Sequence, residues 1–347
     1  MTYPHESFED TSSESPKKKR TGRAVLLGAL ALVLIGLLAA GGYLFTLARA
    51  FDDGTNKLAG AFPEESLRPQ KSGESSGAVN ILLLGNDSRA KSQGEENFAS
   101  LPNGGRSDTM MLVHIPSDRK GIYVTSIMRD TWLDIPGHGK AKINAAFAYG
   151  GVPLAVQTLE GLLNTRIDHV ASIDFEGFKG LTDALGGVQI NNPIAFSPTT
   201  SKNLHFPQGV QTLNGDEALA FVRERHAFKD GDYQRVRNQQ LYIKAVLGKL
   251  TSRDTLTDPG KILESVRQLA PYVAVDESLD AIKVAQIGAT MPGISSGDMN
   301  FFTLPNKGTG RSADGQSIVV PDMAIIDEFA NALNKDNVAQ FVEDNDL

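Results

Sequence analysis

Residues 79–85 read VNILLLG, a short apolar run stopped by a glycine, and this is the spelling of a buried strand that ends in a turn. The turn residues that follow are Asn86, Asp87, Ser88 and Arg89. Two more runs of the same kind lie downstream, at 110–115 after GGRSDT and at 122–127 before Met128, Arg129 and Asp130. Each of the three begins or ends beside polar and charged side chains. The loop between the first two, residues 90–105, is read as exposed and is assigned no chemistry.

Helical patterns alternate with these strands. Residues 143–149 and 153–163 read as two helices parted by Gly150 and Gly151, with Pro153 tolerated in a first turn. A strand at 170–173 leads to Asp174, which caps a helix running to about residue 185, and Gly186 and Gly187 end it before a strand at 188–190. Asn214 and Glu217 have the spacing of a capping box and open a short helix into Arg223. Further helices are expected near 262–269, 279–287 and 323–333, with a strand near 299–304. Strands alternating with helices imply an α/β domain with helices on both faces of a central sheet.

Residues 223–240, RERHAFKDGDYQRVRNQQ, crowd arginines into one segment. Arginine carries a planar fork of donors matched to carboxylate and phosphate oxygens, so Arg223, Arg225, Arg235 and Arg237 point to an anion held at several points. In extended backbone Arg223 and Arg225 share a face. Asp232 is placed as a helix cap, after which Arg235 and Gln239 stand four apart on one helical face, while Val236, Ile243, Leu247 and Leu250 form an apolar stripe. The plainer alternative is a solvated charged surface.

The chain of 347 residues is 41% hydrophobic, enough for one large or two modest domains. A net charge of −7 argues against a general nucleic-acid binder. Cysteine is absent, which removes disulfides, thiolate catalysis and cysteine zinc sites. The six histidines form no HExxH or HxH pattern.

Residues 1–23 are polar, close on Lys17, Lys18, Lys19, Arg20 and Arg23, and read as a disordered cytoplasmic tail. Residues 24–47 carry no charge, and at about 1.5 Å per residue they span roughly 36 Å, enough for a transmembrane helix. The basic cluster before the helix outweighs Arg49 after it, which puts the amino end in the cytoplasm and the main domain outside a cell membrane crossed once. Residues 48–78 are read as a linker, 79–335 as the catalytic domain and 336–347 as a tail.

Asp87 and Asp108 stand at strand edges, each with an arginine two positions away, Arg89 and Arg106. Magnesium is commonly held by one or two carboxylates, water and phosphate oxygens, so the pair is a candidate metal site; Asx turns with local salt bridges are the alternative. No GxSxG elbow or GxxxxGK[ST] loop is present. Phosphoryl transfer suits what remains, because it rests on positioning and charge neutralisation.

The motifs NILLLGNDSR, GGRSDTMMLVHI, VTSIMRDTW, KINAAFAYGG, LNGDEALAFVRERH and GDYQRVRNQQ, in this order, resemble the LytR-CpsA-Psr family of cell-wall polymer ligases. The resemblance implies a three-layer α/β/α domain around a mixed sheet, outside the membrane. It further implies transfer of an anionic glycopolymer, such as teichoic acid or arabinogalactan, from a polyprenyl-pyrophosphate carrier to a hydroxyl of peptidoglycan or a surface glycoprotein, releasing polyprenyl phosphate.

By the same resemblance, Asp87 and Asp108 hold magnesium or manganese, with Arg89 and Arg106 near the pyrophosphate. Arg129, Arg223, Arg225, Arg235 and Gln239 bind it, with Arg129 and Arg235 taken as catalytic and Asp130 as the candidate base. Many relatives carry arginine where this chain has Asn238, so either Arg237 substitutes or one contact is lost. Phe147, Leu154, Phe175, Phe178 and Leu181 are candidates for the lipid channel, against ordinary core as the alternative. Other readings are a pyrophosphatase without ligation, or a membrane-anchored regulatory or glycan-binding protein.

Overall fold

The computed structural model describes residues 41–71, 73–86, 107–201, 203–252, 257–291 and 293–347, without the side chains of 107, 108 and 296. Residues 47–347 form one compact unit, and everything below concerns it.

In chain order the elements that build it are β1 (Asn56–Leu58), β2 (Val79–Asn86), β3 (Ser107–Ile115), β4 (Ile122–Ile127), β5 (Trp132–Ile135), β6 (Gly139–Lys142) and α1 (Ile143–Leu163). Next come β7 (His169–Asp174), α2 (Phe175–Ala184), β8 (Val188–Asn192), β9 (Gly209–Leu213), α3 (Gly215–Arg223), α4 (Asp232–Leu250) and α5 (Pro259–Leu269). The chain closes with β10 (Ala274–Asp276), α6 (Ala281–Ala289), β11 (Met299–Thr303), β12 (Asn306–Arg311), β13 (Ser317–Pro321), α7 (Met323–Asn334) and α8 (Val338–Asp344).

A seven-stranded sheet runs in the order β1-β10-β7-β2-β3-β4-β11. It is mixed: β2 pairs parallel with β7 and antiparallel with β3, β3 antiparallel with β4, and β10 antiparallel with β7. The carboxyl ends of β2, β4 and β7 therefore share one edge with the amino ends of β3 and β10. That edge carries the site.

The period of two along the strands decides which layer each side chain joins. Leu82, Leu84, Met110 and Leu112 pack with Ala146, Ala155, Val156 and Leu159 of α1 and with Ile326 and Phe329 of α7. Their neighbours Ile81, Leu83, Met111 and Val113 pack on the opposite face with Ile243 and Leu247 of α4 and Ile287 of α6. Helices thus cover both faces.

Local signals explain the boundaries. Gly150 and Gly151 have non-helical dihedrals within the span labelled α1, and Gly151 lies at φ 65°, so the segment is two helices that meet at the glycine pair, as expected. Asp174 caps α2 by accepting from the Gly177 amide, and Asn214 and Glu217 form the expected capping box of α3.

Several expectations are corrected. Residues 48–78 are not a tether, because Asn56–Leu58 pairs with β10 and the buried Arg68 meets Glu160 at 2.7 Å. Nor is 336–347 a tail: Val338 and Phe341 are buried against α7. Asp232 is the first residue of α4 and not its cap, the preceding position being Gly231 at φ 43°. Among the described residues no helix is long and apolar enough to cross a membrane; the expected span falls largely on residues 24–40, outside them.

A candidate anion and lipid site at the strand ends

A cavity of about 450 Å³ opens at the sheet edge where β2, β4 and β7 end. Gly85 of β2, Thr109 of β3, Asp174 of β7 and Val273 ahead of β10 contribute to its wall, together with α2, the end of α3 and α4. A cleft outside the carboxyl ends of strands is where open α/β sheets place ligands, because the loops there diverge to opposite faces.

Arg129, Arg223, Arg225, Arg235 and Gln239 all line this one cavity. They come from three places in the chain and different backbone conformations. Arg129 follows β4 in a turn closed by the Thr131 amide on the Met128 carbonyl, and its own carbonyl accepts from the Asn144 amide at the start of α1. Arg223 is the last residue of α3; Glu224 is extended, at φ −67° and ψ 134°, and hands the chain to Arg225. Arg235 and Gln239, one helical turn apart on α4, are both buried.

Asp232 ties two of these arginines together. Its Oδ1 lies 3.0 Å from Nη1 of Arg235 and 3.6 Å from Nη1 of Arg225. The paired glutamines divide their duties: Gln239 faces the cavity, whereas Gln240 donates to the Ser126 hydroxyl and the Phe302 carbonyl and so fastens α4 to the sheet. Arg237 does not replace the arginine expected at 238. It donates to Gln234 Oε1 and pairs with Asp230, while Asn238 is fully buried and donates to the Phe221 carbonyl.

The remainder of the cavity is apolar. Phe175, Phe178 and Leu181 of α2 line it, facing Tyr242, Ile243 and Val246 of α4 and Leu83, Met111 and Ile173 of the sheet. Phe178 and Tyr242 pack with ring centroids 4.4 Å apart. Burial pushes the Tyr242 phenol up to about 12, with the hydrogen bond to Thr182 opposing it, so its 2.7 Å contact with that hydroxyl is one between neutral groups. Phe147 and Leu154 do not belong here. Both pack in the core between α1 and the other face of the sheet, because α1 covers that face.

Asp130 does not line the cavity. Its carboxylate stands between Lys142, 3.1 Å away, and Nε of Arg129 at 3.7 Å, so its charge is turned toward the cationic pair. Glu224 and Thr199, which the sequence reading passed over, are part of the wall. A glutamate between two arginines looks like surface patterning, and only the fold shows it buried.

Asp87, Arg89 and Arg106 lie outside the described residues, as does the side chain of Asp108. Among the described residues no group of three or more histidines, aspartates or glutamates is placed to hold a metal ion. In the antiparallel pair of β2 and β3, Asn86, which precedes Asp87 in sequence, is the partner of Ser107, which precedes Asp108. Gly85 and Thr109, partners in the same ladder, line the cavity.

Residues 43–335 match the model of the LytR_cpsA_psr family. The cell wall biosynthesis protein LcpA of Corynebacterium glutamicum is 32% identical over 290 residues, covering 73% of this chain and 55% of that one. The polyisoprenyl-teichoic acid–peptidoglycan teichoic acid transferase TagU of Bacillus mycoides is 37% identical over 191 residues, covering 55% of this chain and 58% of that one. The chain thus spans little more than half the length of these curated relatives. Among solved structures, TagV of B. subtilis superposes with a TM-score of 0.63 at 25% identity, covering 75% of this chain and 97% of that one.

Proposed function

Because the chain belongs to the LytR-CpsA-Psr family, we propose that it is a phosphotransferase that moves an anionic glycopolymer from a polyprenyl-pyrophosphate carrier to a hydroxyl of the cell wall. The observation that carries this reading is the shared cavity: four arginines and a glutamine at one part of its lining, aromatic and aliphatic side chains over the rest. A ligand with a doubly charged head and an isoprenoid tail matches both halves. The named TagU relative, a polyisoprenyl-teichoic acid transferase, agrees with that chemistry.

In this account Arg129, Arg223, Arg225 and Arg235 bind the pyrophosphate, and Gln239 donates to one of its oxygens. Guanidiniums fixed before the substrate arrives stabilise charge on the transferring phosphoryl group without reorganising at the moment of reaction. The acceptor hydroxyl forms an O–P bond to the sugar-side phosphorus, the bridging P–O bond breaks, and the hydroxyl proton ends on the released polyprenyl phosphate. Asp130 orients Arg129 and Lys142. We assign it this orienting role in preference to that of base, on its place outside the cavity lining and beside two cations.

Asp87 and Asp108 would hold magnesium, or manganese in its place, with Arg89 and Arg106 beside the pyrophosphate. When bound, the cation supplies charge neutralisation on the phosphate oxygens. The uncharged stretch 24–47 behind a basic cluster supports a single membrane crossing, with the domain on the outer side where such acceptors lie. Peptidoglycan or a surface glycoprotein would supply the accepting hydroxyl.

The test is transfer of a lipid-linked glycopolymer to purified peptidoglycan fragments, scored as phosphodiester-linked product. Arg129→Ala is expected to abolish transfer while the melting temperature stays within a few degrees of the parent. Wild-type transfer by that variant would refute the assignment. Release of phosphate without linked product would point to a pyrophosphatase instead.

A further inference from the structure

Glu224 sits between Arg223 and Arg225 in the wall of the cavity, and it is 3% exposed. A carboxylate at that place should compete with a phosphate for the arginines. Its oxygens are otherwise engaged. Oε1 accepts from the backbone amides of Arg225 and Ala227, each at 2.9 Å. Oε2 accepts from the Thr199 amide at 2.6 Å and from the Thr199 hydroxyl at 3.1 Å. The Arg225 guanidinium meets Asp232 instead, and that of Arg223 lies over Phe175.

Burial by itself would raise the Glu224 carboxyl, but the amides of Ala227 and Thr199 and the Thr199 hydroxyl outweigh it and hold the group below its ordinary value. It is a fixed anion whose hydrogen bonds come from backbone amides and the Thr199 hydroxyl. Those bonds join two parts of the wall. One is the chain at 223–227 that presents the arginine pair. The other is the segment between β8 and β9, which is pinched by the Phe196 and Phe206 backbone pair and then brings Thr199 and Thr200 to the cavity.

We infer that Glu224 is a positioning residue: it clasps the Thr199–Thr200 segment to the turn that carries Arg223 and Arg225, fixing both guanidiniums at the spacing a pyrophosphate requires. The inference rests on the pyrophosphate reading above. It deepens that reading by saying what selects two phosphates over one, since a monophosphate needs fewer of the arginines at once and tolerates a looser pair.

Two variants separate the halves of the clasp. In Glu224→Gln, a carboxamide oxygen still accepts from Arg225 and Ala227, but its NH2 group faces the Thr199 amide, donor against donor, and the strap opens. Thr199→Val removes only the hydroxyl, a change too small to threaten folding. The full chain in detergent micelles is titrated calorimetrically with geranylgeranyl pyrophosphate and with geranylgeranyl monophosphate, alongside thermal unfolding.

The expected result for Glu224→Gln is a roughly tenfold loss in the preference for pyrophosphate over monophosphate, the size of a lost hydrogen-bond set to a charged group. Thr199→Val should lose about two- to threefold of that preference. A general packing defect would weaken both ligands alike. An unchanged preference in Glu224→Gln overturns the positioning role and leaves the transferase reading standing, as does an equal loss for both lipids. If the unmodified chain shows no preference for the pyrophosphate, the functional reading itself falls and this inference with it.

Discussion

The guanidinium of Arg223 lies 4.1 Å from the centroid of the Phe175 ring. The contact joins the charged and apolar parts of the cavity, because Phe175 opens α2 on one wall and Arg223 ends α3 on another. A cation over an aromatic face gains about 0.5–1 kcal/mol at exposed sites and more where water is excluded. Phe175→Leu keeps the apolar wall but removes the ring. It is expected to weaken a polyprenyl pyrophosphate by about two- to tenfold in a calorimetric titration, with little change in melting temperature.

Phe178 and Phe147 provide a matched pair on opposite faces of the sheet. Phe147→Ala deletes a core side chain and should cost about 3–5 kcal/mol in urea unfolding. Its effect on ligand affinity should follow stability alone. Phe178→Ala enlarges the lipid wall, so a long isoprenoid should lose more affinity than inorganic pyrophosphate does. Equal losses for both ligands would remove Phe178 from the lipid site.

Arg68 and Glu160 form a buried bidentate pair, with side chains 6% and 1% exposed, and Arg68 also donates to the Ile167 carbonyl. Removing one partner leaves the other charged and buried. Arg68→Ala should therefore destabilise the domain by about 3–5 kcal/mol. A change below about 1 kcal/mol in chemical denaturation would mean that residues 48–78 are the loose linker their composition suggests.

Asp276 joins β10 to β7, accepting from the Val170 amide at 3.0 Å and facing His169 at 3.3 Å. Burial opposes its ionisation, but the hydrogen bonds from His169, Ser278 and Val170 win and hold the carboxyl below its ordinary value. A carboxyl depressed in the folded state stabilises fully above its unfolded value of about 4 and loses that contribution as pH falls through the folded value. Asp276→Asn should be less stable than the parent at neutral pH, with the gap narrowing below about pH 4. A gap independent of pH across that range would contradict the assignment.

Strands with strong internal pattern were legible in the chain, and those made by distant partners were not. Residues 79–84 alternate between two buried faces and needed no context, whereas Asn56–Leu58 is a strand only because Ala274–Asp276 lies beside it. Arg223, Arg225 and Arg235 were visible because several guanidiniums in one short stretch are costly without an anion, whereas the role of Arg129, alone at a strand end, rested on the family resemblance. Glu224 was hidden, since a glutamate among arginines reads as an exposed ion pair until the fold turns it toward Thr199. Phe147 and Phe178 are both apolar residues on helices, and helical period alone does not tell which face of the sheet a helix will cover.

The most direct test of the central claim is a crystal structure of the chain with a polyprenyl pyrophosphate bound. The account predicts phosphate oxygens within hydrogen-bonding distance of Arg129, Arg223, Arg225 and Arg235, and the isoprenoid tail against Phe178 and Tyr242. Phosphates bound away from those guanidiniums, or a tail lying outside the cavity, would contradict it.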